Sequence, residues 1–332
     1  MGNLLKRKAR CVVKGFKMIQ GEHYYETFAA VVRYESVRML LAVAASRGLN
    51  LHLVNMIGAF LNAKPQGEIY LEIPPGFKSH YAIPGVDTIL RLNQNLYGTM
   101  DGANNWARHL NNTFTQLGHR QSRADPCMHI QYTKDGGYTI SATYTDNITT
   151  ASSTDKAEEQ TVRVISDKYE VTDHRKPKVI LGIGVIMHNN GDISIHQKAL
   201  ILEALRDFGM ADCNPKHTPL PVSVDLTNSQ PMPIPEEDHR FMQDKDYRGG
   251  CGRLNHITSG TRHDAAHAAM VLMQYASDPR PIHWRLLLHV LAYLKATMNL
   301  GIRYKCNTDF KPVGFSDSSY ADDPESRRSS AG

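Results

Sequence analysis

Two rhythms of apolar residues alternate along the chain. Val37, Leu40, Leu41 and Ala44 recur at three- and four-residue steps, which places them on one helical face, and Gly48 can end that helix. Residues 51–62, "LHLVNMIGAFLN", follow as a strand that runs into a turn or short helix. Ile69, Leu71 and Ile73 alternate as in a strand, and Pro74-Pro75 stops it. Trp106, Leu110, Phe114 and Leu117 form a second helical stripe, with Gly118 as its C-cap. In "YTISATYTDNITTASS" (138–153), Ile140, Ala142 and Tyr144 share one face, and two short strands flank a tight turn. Residues 180–196 predict a hairpin turning at Asn189-Asn190-Gly191-Asp192. A helix follows on Ile201, Leu205 and Phe208, closed by Gly209. Residues 214–246 hold many prolines and no period, which predicts a linker. Two more helical patterns come after it, on Ala269, Leu272, Met273 and Ala276, and on Trp284, Leu287, Leu291 and Leu294. The last stretch, from Phe310, starts strand-like and ends polar. Strands arrive in local hairpins rather than in βαβ units, so the expected class is α+β.

Composition narrows the picture only a little. With 332 residues, 41% of them hydrophobic, the chain can build one large core or two smaller ones. The formal net charge is +5, which permits a nucleic-acid partner without demanding one. Charge order says more. Lys6, Arg7, Lys8, Arg10, Lys14 and Lys17 all precede the first acidic residue, Glu22. Such a run can track phosphates, or it can be a solvated terminus. Five cysteines without a CxxC pair exclude a disulfide scaffold and a zinc knuckle, and point to a reducing intracellular compartment, cytoplasmic or nuclear. The start "MGNLLKRKAR" lacks the apolar core of a secretion signal, and no apolar run reaches membrane-spanning length, so no membrane partner is expected. Oligomeric state leaves no mark in the sequence.

A series of longer signatures carries the chemistry. They are "KARCVVKGF", "YYETFAAVVRYESVRMLLAVAA", "GAFLNAKPQGEIYLEIPPGF", "LNQNLYGTMDGANNWARHL", "RADPCMHI", "YTDN", "LGIGVIMHNNGDISIHQ" and "DFGMADCNPKHTPL". Beyond the linker come "YRGGCGRLNHITSGTRHDAAHA", "HWRLLLHVLAYLKATMNLGIRY" and "VGFSDSSYADDPESRRSSAG". In this order they resemble the reverse transcriptase region of copia-type long-terminal-repeat retrotransposon polyproteins, of Gag-Pol type. The resemblance implies an RNA-directed DNA polymerase shaped as a right hand, with fingers, palm and thumb around an antiparallel palm sheet. It also implies incomplete fingers at the start of the chain. The expected boundaries are 1–213 for the reverse transcriptase part, 214–246 for the linker, 247–308 for connecting helices and 309–332 for a truncated start of a ribonuclease H-like domain.

The same resemblance assigns roles. Three carboxylates would hold Mg²⁺ at the palm, because Mg²⁺ prefers hard anionic oxygens. Their places fall on Asn55, Asp146 and Asn147, so Asp146 alone can act as catalytic and metal-binding acid. Lys8 and Arg10 match fingers residues that meet the incoming triphosphate, with a solvated run as the other reading. Phe60 matches the gate that screens the sugar 2′ position, or is plain core. Tyr144, Leu181 and Gly182 match primer or template contacts, and Asp317 matches the first acid of the ribonuclease H site. Met100, Asp101 and Asn104 stand where the family has Lys, Gln and Arg, which implies weaker phosphate contacts. An RNA or DNA primer–template is the implied partner, weakly held. The expected activity is therefore a reverse transcriptase-type nucleotidyltransferase that is silent as written. Two alternatives stand beside it: an active polymerase in which Asp146 and substrate suffice, and a non-enzymatic nucleic-acid-binding protein that reuses the fold.

Overall fold

The structure, a computed structural model, describes residues 9–222, 235–318, 320 and 329. It forms two compact units that divide between Pro177 and Lys178.

The first unit is built on a six-stranded antiparallel sheet. Its elements are α1 (Tyr34–Arg47), β1 (Asn50–Met56), β2 (Tyr70–Glu72), α2 (Lys78–Tyr81), β3 (Ile89–Arg91), α3 (Gly102–Gln116), β4 (Arg120–Gln121), β5 (Met128–Tyr132), β6 (Tyr138–Tyr144), β7 (Asn147–Ser152), α4 (Asp155–Ser166) and β8 (Val171–Arg175). The strand order is β4-β5-β6-β7-β1-β8, and β2 and β3 pair as a separate ribbon. Helix α1 ends where expected, with Gly48 left-handed (φ 62°) and its N–H bonded to the Ala44 and Ala45 carbonyls. One sheet face buries Val54, Met56 and Ile148 against Trp106, Leu110 and Phe114 of α3 and Ile165 of α4. Helix α4 has no strong apolar stripe in its first half. It starts instead on a cap, the Thr154 side chain accepting from the Ala157 N–H at 3.1 Å.

The interior of this unit is unusually polar. His129, Ser141, Thr150 and His52 are cross-strand neighbours on one row of the sheet, and all four are buried. His52 bridges Glu158 of α4, at 2.9 Å, and Asp173 of β8 through its two ring nitrogens. His129 and His119 both lie against the Phe114 ring. Burial, reinforced by the other histidine, lowers His119 to about 4. Burial also lowers His129 to about 4, against the opposing pull of Asp125.

The second unit holds β9 (Val179–Ile180), β10 (Ile183–Met187), β11 (Ile193–His196), α5 (Lys198–Asp207), α6 (Glu236–Met242), α7 (Tyr247–Gly260), α8 (Ala266–Gln274), α9 (Pro281–Ala296) and β12 (Ile302–Tyr304). Its sheet runs β12-β11-β10-β9, so the strand after α9 returns to the hairpin before α5. Helices α5, α7, α8 and α9 share a core that includes Leu205, Leu254, Ile257, Leu272, Leu287 and Leu291. One helix lies where no helix was expected, and a second, within the connecting helices expected over 247–308, had no apolar pattern of its own singled out. Helix α6 falls within the proposed linker, buries no side chain, and carries three acids in its first turn. Helix α7 begins under the Asp246 cap and contains Gly249, Gly250 and Gly252. A Cβ on Gly250 would meet Leu287 Cδ1 at 2.6 Å, so that glycine lets α7 approach α9.

His283 of α9 stacks on Tyr275, and burial followed by the nearby Arg280 charge lowers it to about 4. The sign of the pH effect follows. The folded values lie below the ordinary 6.5, so the unfolded chain takes up more protons between pH 6.5 and 4. The stabilisation is complete above about 6.5 and is lost as pH falls toward 4. Each fully buried histidine contributes up to about 3 kcal/mol over that window. Urea midpoints are therefore expected to fall from pH 7.5 to pH 5 in both units, most in the first. Replacing His129 with Gln should flatten the dependence.

Candidate functional site

Antiparallel pairing of β1 with β7 sets Asn55 directly opposite Asn147, and pairing of β6 with β7 sets Tyr144 opposite Asn147. The residues expected to form one site, 92 positions apart in sequence, are thus brought together. Asn55 Nδ2 donates to Asn147 Oδ1 at 3.0 Å, and Asn147 Nδ2 donates to Asp146 Oδ1 at 3.0 Å. The Met56 N–H also donates to the Asp146 carbonyl, at 2.7 Å. All three side chains are half-buried.

The turn between β6 and β7 is Thr145-Asp146, and Thr145 is left-handed at φ 53°. A β-branched residue there is strained, because its Cβ crowds the backbone. The conformation is held from outside: the buried Trp106 indole N–H donates to the Thr145 carbonyl at 2.6 Å. Thr145→Gly is expected to stabilise the first unit by about 1 kcal/mol. A urea midpoint equal to or below that of wild type would show that the turn is unstrained.

Phe60 and Thr145 line one cleft of about 570 Å³ that also reaches Phe28 and Trp106. Phe60 is only partly buried and packs on Tyr97, with ring centroids 5.2 Å apart. The exposed Arg10 guanidinium lies 4.2 Å from the centre of the same Tyr97 ring. Arg10, Tyr97 and Phe60 therefore make one cation–aromatic stack. The position of Tyr97 between Arg10 and Phe60 leaves no mark in the sequence. Tyr144 is exposed at the end of β6, near Tyr34. Lys8 lies outside the described residues.

Leu181 and Gly182 belong to the second unit. They form the two-residue turn between β9 and β10, both left-handed, at φ 49° and 78°. A Cβ on Gly182 would meet nothing within 4 Å, so this glycine serves the turn and not a close backbone approach. Asp317 is exposed and accepts from the Ser318 N–H at 2.8 Å.

One expectation is corrected. Asp101 and Asn104 do not replace basic groups on a surface: Asp101 is fully buried and Asn104 is 7% exposed. Asp101 Oδ2 accepts from the Asn105 side chain at 2.6 Å and from the Gln66 N–H at 3.1 Å. Asn104 bonds Gln66 and the Phe28 carbonyl. Short polar side chains at the start of α3 thus tie the helix to neighbouring loops. Met100 alone of the three is exposed.

Asp125 was also missed as a structural residue. It accepts from the Arg33 N–H at 3.1 Å, Ser36 Oγ at 2.6 Å and the Cys127 N–H at 2.9 Å, which fixes the start of α1. Burial raises its carboxyl, but these donors together outweigh it and hold the carboxyl below the ordinary range.

The donor set does not fit a pair of Mg²⁺ ions. Two of the three side chains are uncharged, and the one carboxylate already accepts from an amide. Among the described residues there is no group of three or more His, Cys, Asp or Glu side chains placed to hold a metal ion. Nor, among them, is any helix long and apolar enough to cross a membrane.

Comparison with known proteins shows the family. The family profile described as reverse transcriptase (RNA-dependent DNA polymerase) matches residues 3–222. The chain is 27% identical over 336 aligned positions to the retrovirus-related Pol polyprotein from transposon TNT 1-94 of Nicotiana tabacum, covering 99% of this chain and 24% of that protein. It is 28% identical to the Pol polyprotein from transposon RE2 of Arabidopsis thaliana, covering 98% of this chain and 21% of that protein. A transposon Ty5-1 protein of Saccharomyces cerevisiae is 25% identical, over 79% of this chain and 82% of its own length. The chain thus spans about a quarter or less of the plant polyproteins it matches. It belongs to the reverse transcriptase family, as a domain related to the Pol polyproteins of Ty1-copia retrotransposons.

Proposed function

We propose that this chain is a reverse transcriptase fragment that has lost nucleotidyl transfer and keeps a weak, salt-dependent affinity for a primer–template. The observation that carries the proposal is the side-chain chain Asn55–Asn147–Asp146, in which amides occupy two of three places where the chemistry needs anions. Two divalent cations held close together repel each other, and anionic ligands must offset that repulsion. One carboxylate is a poor substitute for three. In this reading the six-stranded sheet of the first unit is the palm, and the residues before α1 belong to the fingers. Residues 178–213 begin the thumb, 214–246 link it onward, 247–308 form the connection, and 309–332 open a ribonuclease H-like domain at Asp317. Arg10 on Tyr97, with Phe60 beside it, is the surviving nucleotide contact, joined by Lys8. Tyr144, Leu181 and Gly182 would face primer or template.

Fluorescence anisotropy with a labelled RNA–DNA primer–template tests the binding half. Affinity should fall steeply from 50 to 200 mM salt, because Lys and Arg contacts to phosphate release counterions. Arg10→Ala should lower affinity and flatten the slope. Binding that barely changes with salt would remove phosphate contacts from the account.

A further inference from the structure

The amides at 55 and 147 do something carboxylates at those positions cannot. An ionised carboxylate only accepts hydrogen bonds, whereas an amide both donates and accepts. Three carboxylates here would carry like charges with no donor among them, and would repel one another unless a bound cation offset their charge. The structure has a directed chain instead: Asn55 Nδ2 to Asn147 Oδ1, then Asn147 Nδ2 to Asp146 Oδ1, both at 3.0 Å. The chain runs across the β1–β7 pair into the hairpin turn, beside the backbone bond from the Met56 N–H to the Asp146 carbonyl. The turn it reaches is the strained one, at Thr145.

We propose that Asn55, Asn147 and Asp146 form a cation-independent clasp that ties the β6–β7 turn to β1, so that side-chain bonds stabilise the turn where three carboxylates without a divalent ion would repel one another. The inference rests on the reading of the site as catalytically silent. Its consequence is asymmetric. Restoring acids restores charge to the site and removes both donors, so the reverted protein becomes dependent on Mg²⁺ for stability.

Thermal melts of the full chain in EDTA and in added MgCl₂ test it. Wild type should melt at the same temperature in both. Asn55→Asp with Asn147→Asp should melt lower in EDTA by roughly 5 °C, and Mg²⁺ should recover most of the loss. Asn147→Ala, which removes both bonds and adds no charge, should melt lower than wild type whether or not Mg²⁺ is present. Three outcomes would overturn the clasp: a wild type raised by Mg²⁺ as much as the double variant, a double variant as stable as wild type in EDTA, or an unchanged melt for Asn147→Ala. That last variant decides the matter if the double variant does not fold. A wild type that extends a primer yet melts independently of Mg²⁺ would remove the silent-enzyme reading and leave the clasp standing.

Discussion

Arg262→Ala is expected to cost the second unit about 2 kcal/mol, because it removes a fully buried guanidinium that bonds the exposed Asp264 carboxylate and Thr297. Arg262 is fully buried just after α7. Its Nε and Nη2 donate to the two oxygens of Asp264, at 2.9 and 2.7 Å, and Nη1 and Nη2 reach the Thr297 carbonyl and hydroxyl after α9. The Tyr293 hydroxyl donates to the same Asp264 at 2.7 Å, and the Tyr293 ring lies under the guanidinium. Burial raises the Asp264 carboxyl, but Arg262 and Tyr293 outweigh it and hold it below its ordinary range. A depressed carboxylate stabilises the fold above its unfolded value and loses that contribution as pH falls. The variant should therefore be weaker at pH 7 and less sensitive to acid below pH 4. Arg262→Lys should rescue only part of the loss, since an ammonium cannot span both oxygens and Thr297 at once. Urea unfolding followed by far-ultraviolet circular dichroism measures all three proteins. Equal stability of Arg262→Ala and wild type would make the network ornamental.

The second large effect concerns chemistry. Asn55→Asp together with Asn147→Asp is expected to give detectable primer extension in Mg²⁺, and either change alone should give far less. Members of a cooperating catalytic set are non-additive, and loss of one commonly costs on the order of 10⁴-fold or more. The geometry favours recovery, because β1–β7 pairing already places both positions beside Asp146. The burial of Asp101 and Asn104 favours it too, since those changes leave the surface untouched. Recovery by Asn147→Asp alone, at the level of the double variant, would mean that position 55 takes no part.

Most of the site was legible because it is built from strands. A two-residue turn between alternating strands fixes which side chains face each other, so "YTDN" and the strand holding Asn55 could be matched from pattern and resemblance. Helix α1 was equally plain, with four apolar positions and a terminal glycine. What stayed hidden depends on partners rather than periods. Helix α7 carries three glycines near its start that look like breakers along the chain, and Gly250 makes sense only once Leu287 is packed against it. Helix α4 is mostly charged at its start and folds on a threonine cap and a half-buried face. Asp101 and Asn104 looked like lost surface charge, because sequence does not tell which side of α3 meets Gln66 and the Phe28 carbonyl. The Arg10–Tyr97–Phe60 stack joins three distant segments, and spacing alone carries no sign of it.

Primer extension by the wild-type chain on an RNA or DNA template, with Mg²⁺ and separately with Mn²⁺, tests the central claim most directly. The account predicts no product above a protein-free control with either ion. Extension by wild type that Asp146→Ala abolishes would show that one carboxylate and two amides are enough, and would contradict it.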